Sequence, residues 1–156
     1  MAKELMEIGG FITEGAEIVN HNNSLSGNGT VDSPLRLNET VLWSGTQTGA
    51  YTFQLSETLS NFEKFRIAIG FDQGIIEYKD VAIPSGTLNA LGVSVSRADS
   101  SAFWYFSYPL TFNADKTSMS IAAGKGFKCG GSNITQYYNN NTECVVYGIW
   151  GINRKA

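Results

Sequence analysis

The chain has 156 residues, 42% of them hydrophobic, which is enough for one sizeable core and leaves little for a second domain. Lys and Arg number 11 against 14 Asp and Glu, so the net charge is −3 and no basic footprint points to nucleic acid as a partner. Charged residues make up only 16%, and with 17 Gly, 3 Pro and 12% aromatics the balance is that of an extracellular or virion β protein rather than a helical enzyme.

The first stretch, MAKELMEIGGFITEG (1–15), has neither the basic start, the apolar run nor the small-residue cleavage site of a signal peptide, and nowhere do 18 apolar residues follow one another. No membrane insertion is expected; the chain reads as one assembled in a cytoplasm or one whose leader has been removed. Leu5, Ile8, Phe11, Ile12, Ile18 and Val19 are separated by polar and Gly residues, and then NHNNSLSGNGTVDSPLRLN (20–38) offers only Leu25, Val31, Leu35 and Leu37 as anchors. One copy of such a segment buries too little surface to offset its ordering entropy and would be a flexible linker. Three copies around a shared axis would each give a few apolar residues to a common seam, while Gly and Pro let the chain turn. Residues 1–38 are therefore expected to form an intertwined trimeric β shaft or neck, with those four residues in its seam, and residues 39–156 a globular domain.

Beyond residue 39 the period is two. Tyr51, Phe53 and Leu55 share one side of AYTFQLS, and Phe65, Ile67, Ile69 and Phe71 one face of KFRIAIGF. Further strands are expected over residues 75–83, 92–98, 102–112, 117–123 and 143–153, with DQG, PSG, NADKT and GKG as turns between them. Only LSETLSNFEKF looks briefly helical, and one turn or a loop is expected there. Many short strands with close-set turns predict an antiparallel β-sandwich or jelly roll.

Three segments resemble bacteriophage tail fibres and phage-derived trimeric adhesins. LSGNGTVDSPLRLN is similar to their shaft element through Leu25, Gly27, Asn28, Gly29, Thr30, Pro34, Leu35 and Leu37. The segment 39–71, where Trp43 precedes a Gly/Thr-rich turn and LSNFEKFRI leads into a core strand, resembles the first strands of a tail-fibre tip, and VVYGIWGINRKA resembles its last. Residues 75–142 match no part of such tips. The resemblance implies a homotrimeric fibre end that binds a bacterial surface glycan or outer-membrane protein for host recognition, located in the virion or, for an adhesin, on the bacterial cell surface.

Two stretches are candidates for contact with a receptor. In FWYFSYPLTF both faces are apolar enough to be covered, so it is either a central strand packed on both sides or one that exposes Trp104 or Tyr105 to stack on a sugar. CGGSNITQYYNNNTEC presents Tyr137 and Tyr138 beside Asn139, Asn140 and Asn141, the composition of adaptable binding loops, although a solvated Asn-rich hairpin loop has the same composition. Cys129 and Cys144 bracket it, as a disulfide or as two reduced, partly buried thiols. Five Asn-x-Ser/Thr triplets begin at Asn22, Asn28, Asn38, Asn133 and Asn140 and are read as a by-product of so much Asn.

Catalytic signatures are sparse. His21 is the single histidine and falls in the shaft segment, leaving the globular domain no imidazole for a nucleophilic triad; His21 reads as a solvated neck residue. Two cysteines do not make an ordinary zinc site, GKGFKCGG lacks the order of a phosphate-binding loop, and no cofactor or metal is expected. The carboxylates Glu57, Glu63, Asp72, Glu77, Asp80, Asp99, Asp115 and Glu143 fall mostly in expected turns, where a solvated role is the default. A non-enzymatic receptor-binding tip is the leading expectation. A structural virion protein (head fibre, decoration protein or fibre connector) and a short polysaccharide hydrolase are the alternatives.

Overall fold

A computed structural model describes residues 36–71, 74–85, 90–98, 102–131 and 133–155 together with Leu25 and Ser26, and of Leu25, Ser26, Arg36, Leu37 and Ile75 the backbone alone. The chain divides into two units at the Asn38–Glu39 boundary. In the first unit β1 (Leu25–Ser26) pairs antiparallel with β2 (Arg36–Leu37), which sets Leu25 opposite Leu37. Val31, Leu35 and His21 lie outside the described residues.

The second unit is an antiparallel β-sandwich. Its strands are β3 (Glu39–Thr48), β4 (Tyr51–Gln54), β5 (Phe62–Phe71), β6 (Ile75–Ala82), β7 (Ala90–Ala98), β8 (Ala102–Phe112), β9 (Ser118–Ile121), β10 (Gly124–Gly130), β11 (Asn133–Asn141) and β12 (Cys144–Arg154). One sheet has the order β3-β12-β5-β6. The other is organised by β8: β7 runs along one of its edges, while β10 and β9 share the opposite edge, pairing with Ala102–Ser107 and Leu110–Phe112. β11 extends the sheet beyond β10, and β4 extends it beyond β9.

Alternation decides which side chains enter the core. On β8 Phe106, Tyr108, Leu110 and Phe112 point inward, and on β5 Phe65, Ile67, Ile69 and Phe71 meet them. Phe65 packs edge-on against Phe112 and Phe71 against Phe106, with centroids 5.8 and 5.5 Å apart. The two contacts are equally spaced along both strands and in opposite order, so β5 and β8 cross the interface antiparallel with little skew, as in an aligned sandwich. Gly49, at φ +76°, turns the chain from β3 in one sheet to β4 in the other, and its N–H donates to the Cys144 carbonyl at 2.8 Å. Along the β6 edge, the Glu77 carboxylate accepts from the Ser96 N–H of β7 at 3.0 Å while paired with Lys79. These charges block the edges from adding further strands.

The brief helical signal becomes a single 3-10 turn, Leu59–Asn61, capped by the Thr58 hydroxyl, which accepts from the Ser60 N–H; Leu59 is buried beneath it. Two expectations need correction, and the alternative left open for the cysteines is decided. GKG is not a turn, and SNITQYYNNN is not a loop: they lie in β10 and β11. The glycines of β10 permit close approach, since a Cβ on Gly126 would stand 2.0 Å from the Tyr105 carbonyl oxygen and one on Gly124 2.5 Å from the Tyr108 ring. The two cysteines are free thiols, Cys129 half-buried in β10 and Cys144 buried at the start of β12 in the other sheet.

Candidate functional site

β8 runs past the last residue of β5 that packs on it. Phe71 is the last residue of β5 and meets Phe106, so Ala102–Tyr105 continue past it by four residues, roughly 13 Å at the usual rise. The registers carry along the last residues of β7, Phe127–Gly130 of β10 and Asn133–Tyr137 of β11. Along this overhang Phe103 is exposed, Tyr105 is half-buried, Ala102 is buried and Trp104 is half-buried against the edge of the core, while β11 is exposed at every position from Asn133 to Tyr137.

On the outer face, Ser96, Tyr105, Phe127 and Tyr137 are successive cross-strand partners and form one line across four strands. The Tyr105 and Phe127 rings stack at 5.6 Å with 26° between planes, and Tyr137 is 71% exposed at the end of the line. A second line holds Ala98, Phe103, Cys129 and Ile134, with Phe103 40% and Ile134 46% exposed. A register shift between Lys128 and Cys129 sets Ile134 rather than Thr135 opposite Cys129. The outcome is a contiguous apolar and aromatic surface with a phenol at its rim.

The inner face of the overhang differs in chemistry. Arg97, Trp104, Lys128 and Gln136 are cross-strand partners, and the Arg97 guanidinium and the Lys128 ammonium each lie 4.8 Å from the Trp104 ring centroid. Beside them the Tyr138 hydroxyl donates to Gln136 Oε1 at 2.9 Å, and the Tyr138 ring meets Phe106 edge-on.

The seven residues singled out in the sequence are thus distributed over two faces. Tyr105 and Tyr137 come together on the outer face through Phe127, and Trp104 and Tyr138 on the inner one. Asn139 and Asn140 are exposed further along β11. Asn141 is buried and committed: its Oδ1 accepts from the Tyr108 hydroxyl and, at 3.2 Å, from the Glu143 N–H, and its Nδ2 donates to Glu143. It fastens the β11–β12 link instead of facing a ligand. Sequence reasoning missed Phe127, Phe103, Ile134, Arg97 and Lys128. For Phe127 a signal existed, because Lys125, Phe127 and Cys129 alternate with Gly126 and Lys128 as strand residues do.

Other reactive groups are restrained. Burial pushes the Cys144 thiol up to about 11 and raises the Tyr108 phenol further above its ordinary value. Glu57 is held low by Arg154 and Asn61, and Asp80 by Arg66 and Lys64. Burial pushes Glu77 up, but Lys79 and the Ser96 N–H outweigh it and leave its carboxyl low. All three directions are opposite to that of a general acid. No cluster of three metal-ligating side chains occurs among the described residues, and none of their helices is long and apolar enough to cross a membrane. No protein-family model, curated protein or solved structure matches the chain.

Proposed function

We propose that the protein is a homotrimeric fibre tip that binds a bacterial cell-surface receptor, a glycan by preference, without catalysing a reaction on it. The observation that carries this reading is the line of half-buried Tyr105 and Phe127 leading to exposed Tyr137 on the outer face of the sheet. Aromatic faces suit the apolar C–H surfaces of sugars, and a phenol at the rim adds a donor and an acceptor. Rings held by cross-strand neighbours lose little freedom when a ligand arrives. Three copies on one fibre raise weak single-site affinity to useful avidity. The shaft segment supplies the reason for three, because its few apolar anchors need a shared seam. The low-lying carboxyls of Glu57, Glu77 and Asp80 fit a binder better than a hydrolase.

The test is binding of the full chain to a glycan array and to a panel of bacterial cells, with its mass measured by light scattering. The expected result is a mass three times that of the chain and a loss of binding of about tenfold or more in Tyr137→Ala, with the mass unchanged. Unaltered binding in Tyr137→Ala overturns the assignment of the site. A wild-type protein that binds no cell and no glycan favours a structural virion part, and a monomer removes the fibre reading.

A further inference from the structure

The described cations fall into two groups. Arg66 pairs with Glu39 and Asp80, Lys64 with Asp80, Lys79 with Glu77 and Arg154 with Glu57. Arg97, Lys116, Lys125, Lys128 and Lys155 have no carboxylate within ion-pair distance among the described residues, although the protein as a whole is acidic; of these five, Arg97 and Lys128 share a ring. They stand instead on the strands that flank β8, each over the same indole. Packing accounts for one cation on an aromatic ring. A second cation on the same ring adds a repulsion between like charges, which an anion that contacts the pair would offset.

The fourth member of the line adds to the pattern. Gln136 Oε1 accepts from the Tyr138 hydroxyl, and the amide NH2 adds further donors. Arg97, Lys128 and the Gln136 amide NH2 are all donors, and the Trp104 and Tyr138 rings lie beside them. Donors alone are complementary to an anion rich in acceptors, and rings among donors are complementary to a sugar that carries one.

We infer that the inner face of the overhang is an anion subsite, formed by Arg97, Lys128 and Gln136 around Trp104, and that the glycan it takes is acidic, with carboxylate-bearing sugars. This rests on the receptor-binding reading and adds the class of receptor. The carboxylate is taken by the guanidinium and the ammonium that flank the indole, and the sugar ring follows the strand line toward Gln136 and Tyr138. The uncharged outer face then holds neutral parts of the same chain or a neighbouring residue of it.

The experiment is calorimetric titration of the full chain with an oligomer of galacturonic acid, with its methyl ester as the neutral counterpart, and with a sulfated oligosaccharide of the same length. The acid oligomer is expected to bind, the ester about tenfold or more weakly, and the affinity to fall as salt is raised. Arg97→Gln and Lys128→Gln should each weaken binding about tenfold, whereas Lys128→Arg, which keeps the charge, should retain it. Urea unfolding of each variant identifies any loss caused by misfolding, and Lys128→Arg against Lys128→Gln then carries the comparison. Equal affinity for acid and ester, binding unchanged in the double variant, preference for the sulfated chain, or no binding of the acid oligomer each overturns the inference. Cell binding separates the two readings. If the double variant binds cells as the wild type does, the subsite falls and the receptor reading stands. If the wild type binds no cell but binds the acid oligomer with the expected losses, the subsite stands and the receptor reading falls.

Discussion

The two halves of β8 carry similar side chains in different surroundings. From Phe106 to Phe112 every second residue is sealed against β5 and its neighbours, and β9 and β4 complete the sheet; from Ala102 to Tyr105 the strand runs past the last described residue of β5, only Ala102 is fully buried, and β10 and β11 flank it. Aromatic residues supply stability in the first half and accessible area in the second. The described contacts of β5 with β8 stop at Phe71, so part of the difference comes from a strand far away in the sequence.

The largest effect should separate the halves directly. Phe106→Ala removes a ring that packs against Phe71 and Tyr138 and should cost about 3–5 kcal/mol in urea unfolding. Phe103→Ala, three positions earlier and 40% exposed, should stay within about 0.5 kcal/mol. A comparable loss in both would mean that the overhang is as much core as the rest of the strand. Next in size is Gly126→Ala, whose new methyl would press on the Tyr105 carbonyl oxygen. It should cost about 1–3 kcal/mol, and amide exchange should quicken in β10 and β11 but not in β5 and β12. Uniform quickening would show that the ribbon is not an independent part of the sheet.

Strands with one covered face were legible in the sequence because their alternation records a single boundary between core and solvent. Residues 64–71 show it through Phe65, Ile67, Ile69 and Phe71, whereas 102–112 and 143–153 were legible by their aromatic and β-branched content, and β8 spans the expected range. β10 and β11 were not legible. Gly124 and Gly126 signal a turn locally, and only the nearness of Tyr105, Phe106 and Tyr108 explains them as strand residues. NITQYYNNN has no covered face for most of its length, so there was no period to read. The candidate site was half legible for the same reason. Tyr105 and Tyr137 stand out by type, but their union through Phe127, and that of Arg97 with Lys128 through Trp104, are facts of register between strands distant in sequence.

The smallest expected effect concerns charge. On the four-stranded sheet Asp80 accepts from Arg66 and Lys64, and Arg66 first, then Lys64, holds its carboxyl below the usual carboxylate range. A folded value below the unfolded one, which lies at about 3.9, adds stability that is present above that value and lost as pH falls through the folded one. The groups are partly exposed, so the contribution should be under about 1 kcal/mol. Urea midpoints at neutral and at strongly acid pH should fall further in the wild type than in Asp80→Asn. Arg97→Gln should shift both midpoints alike, because no described carboxylate answers Arg97 and none of its contribution titrates in acid. An acid-dependent effect of Arg97→Gln would reveal a carboxylate partner inside the protein, and the charge on Trp104 would then be answered from within rather than by a ligand.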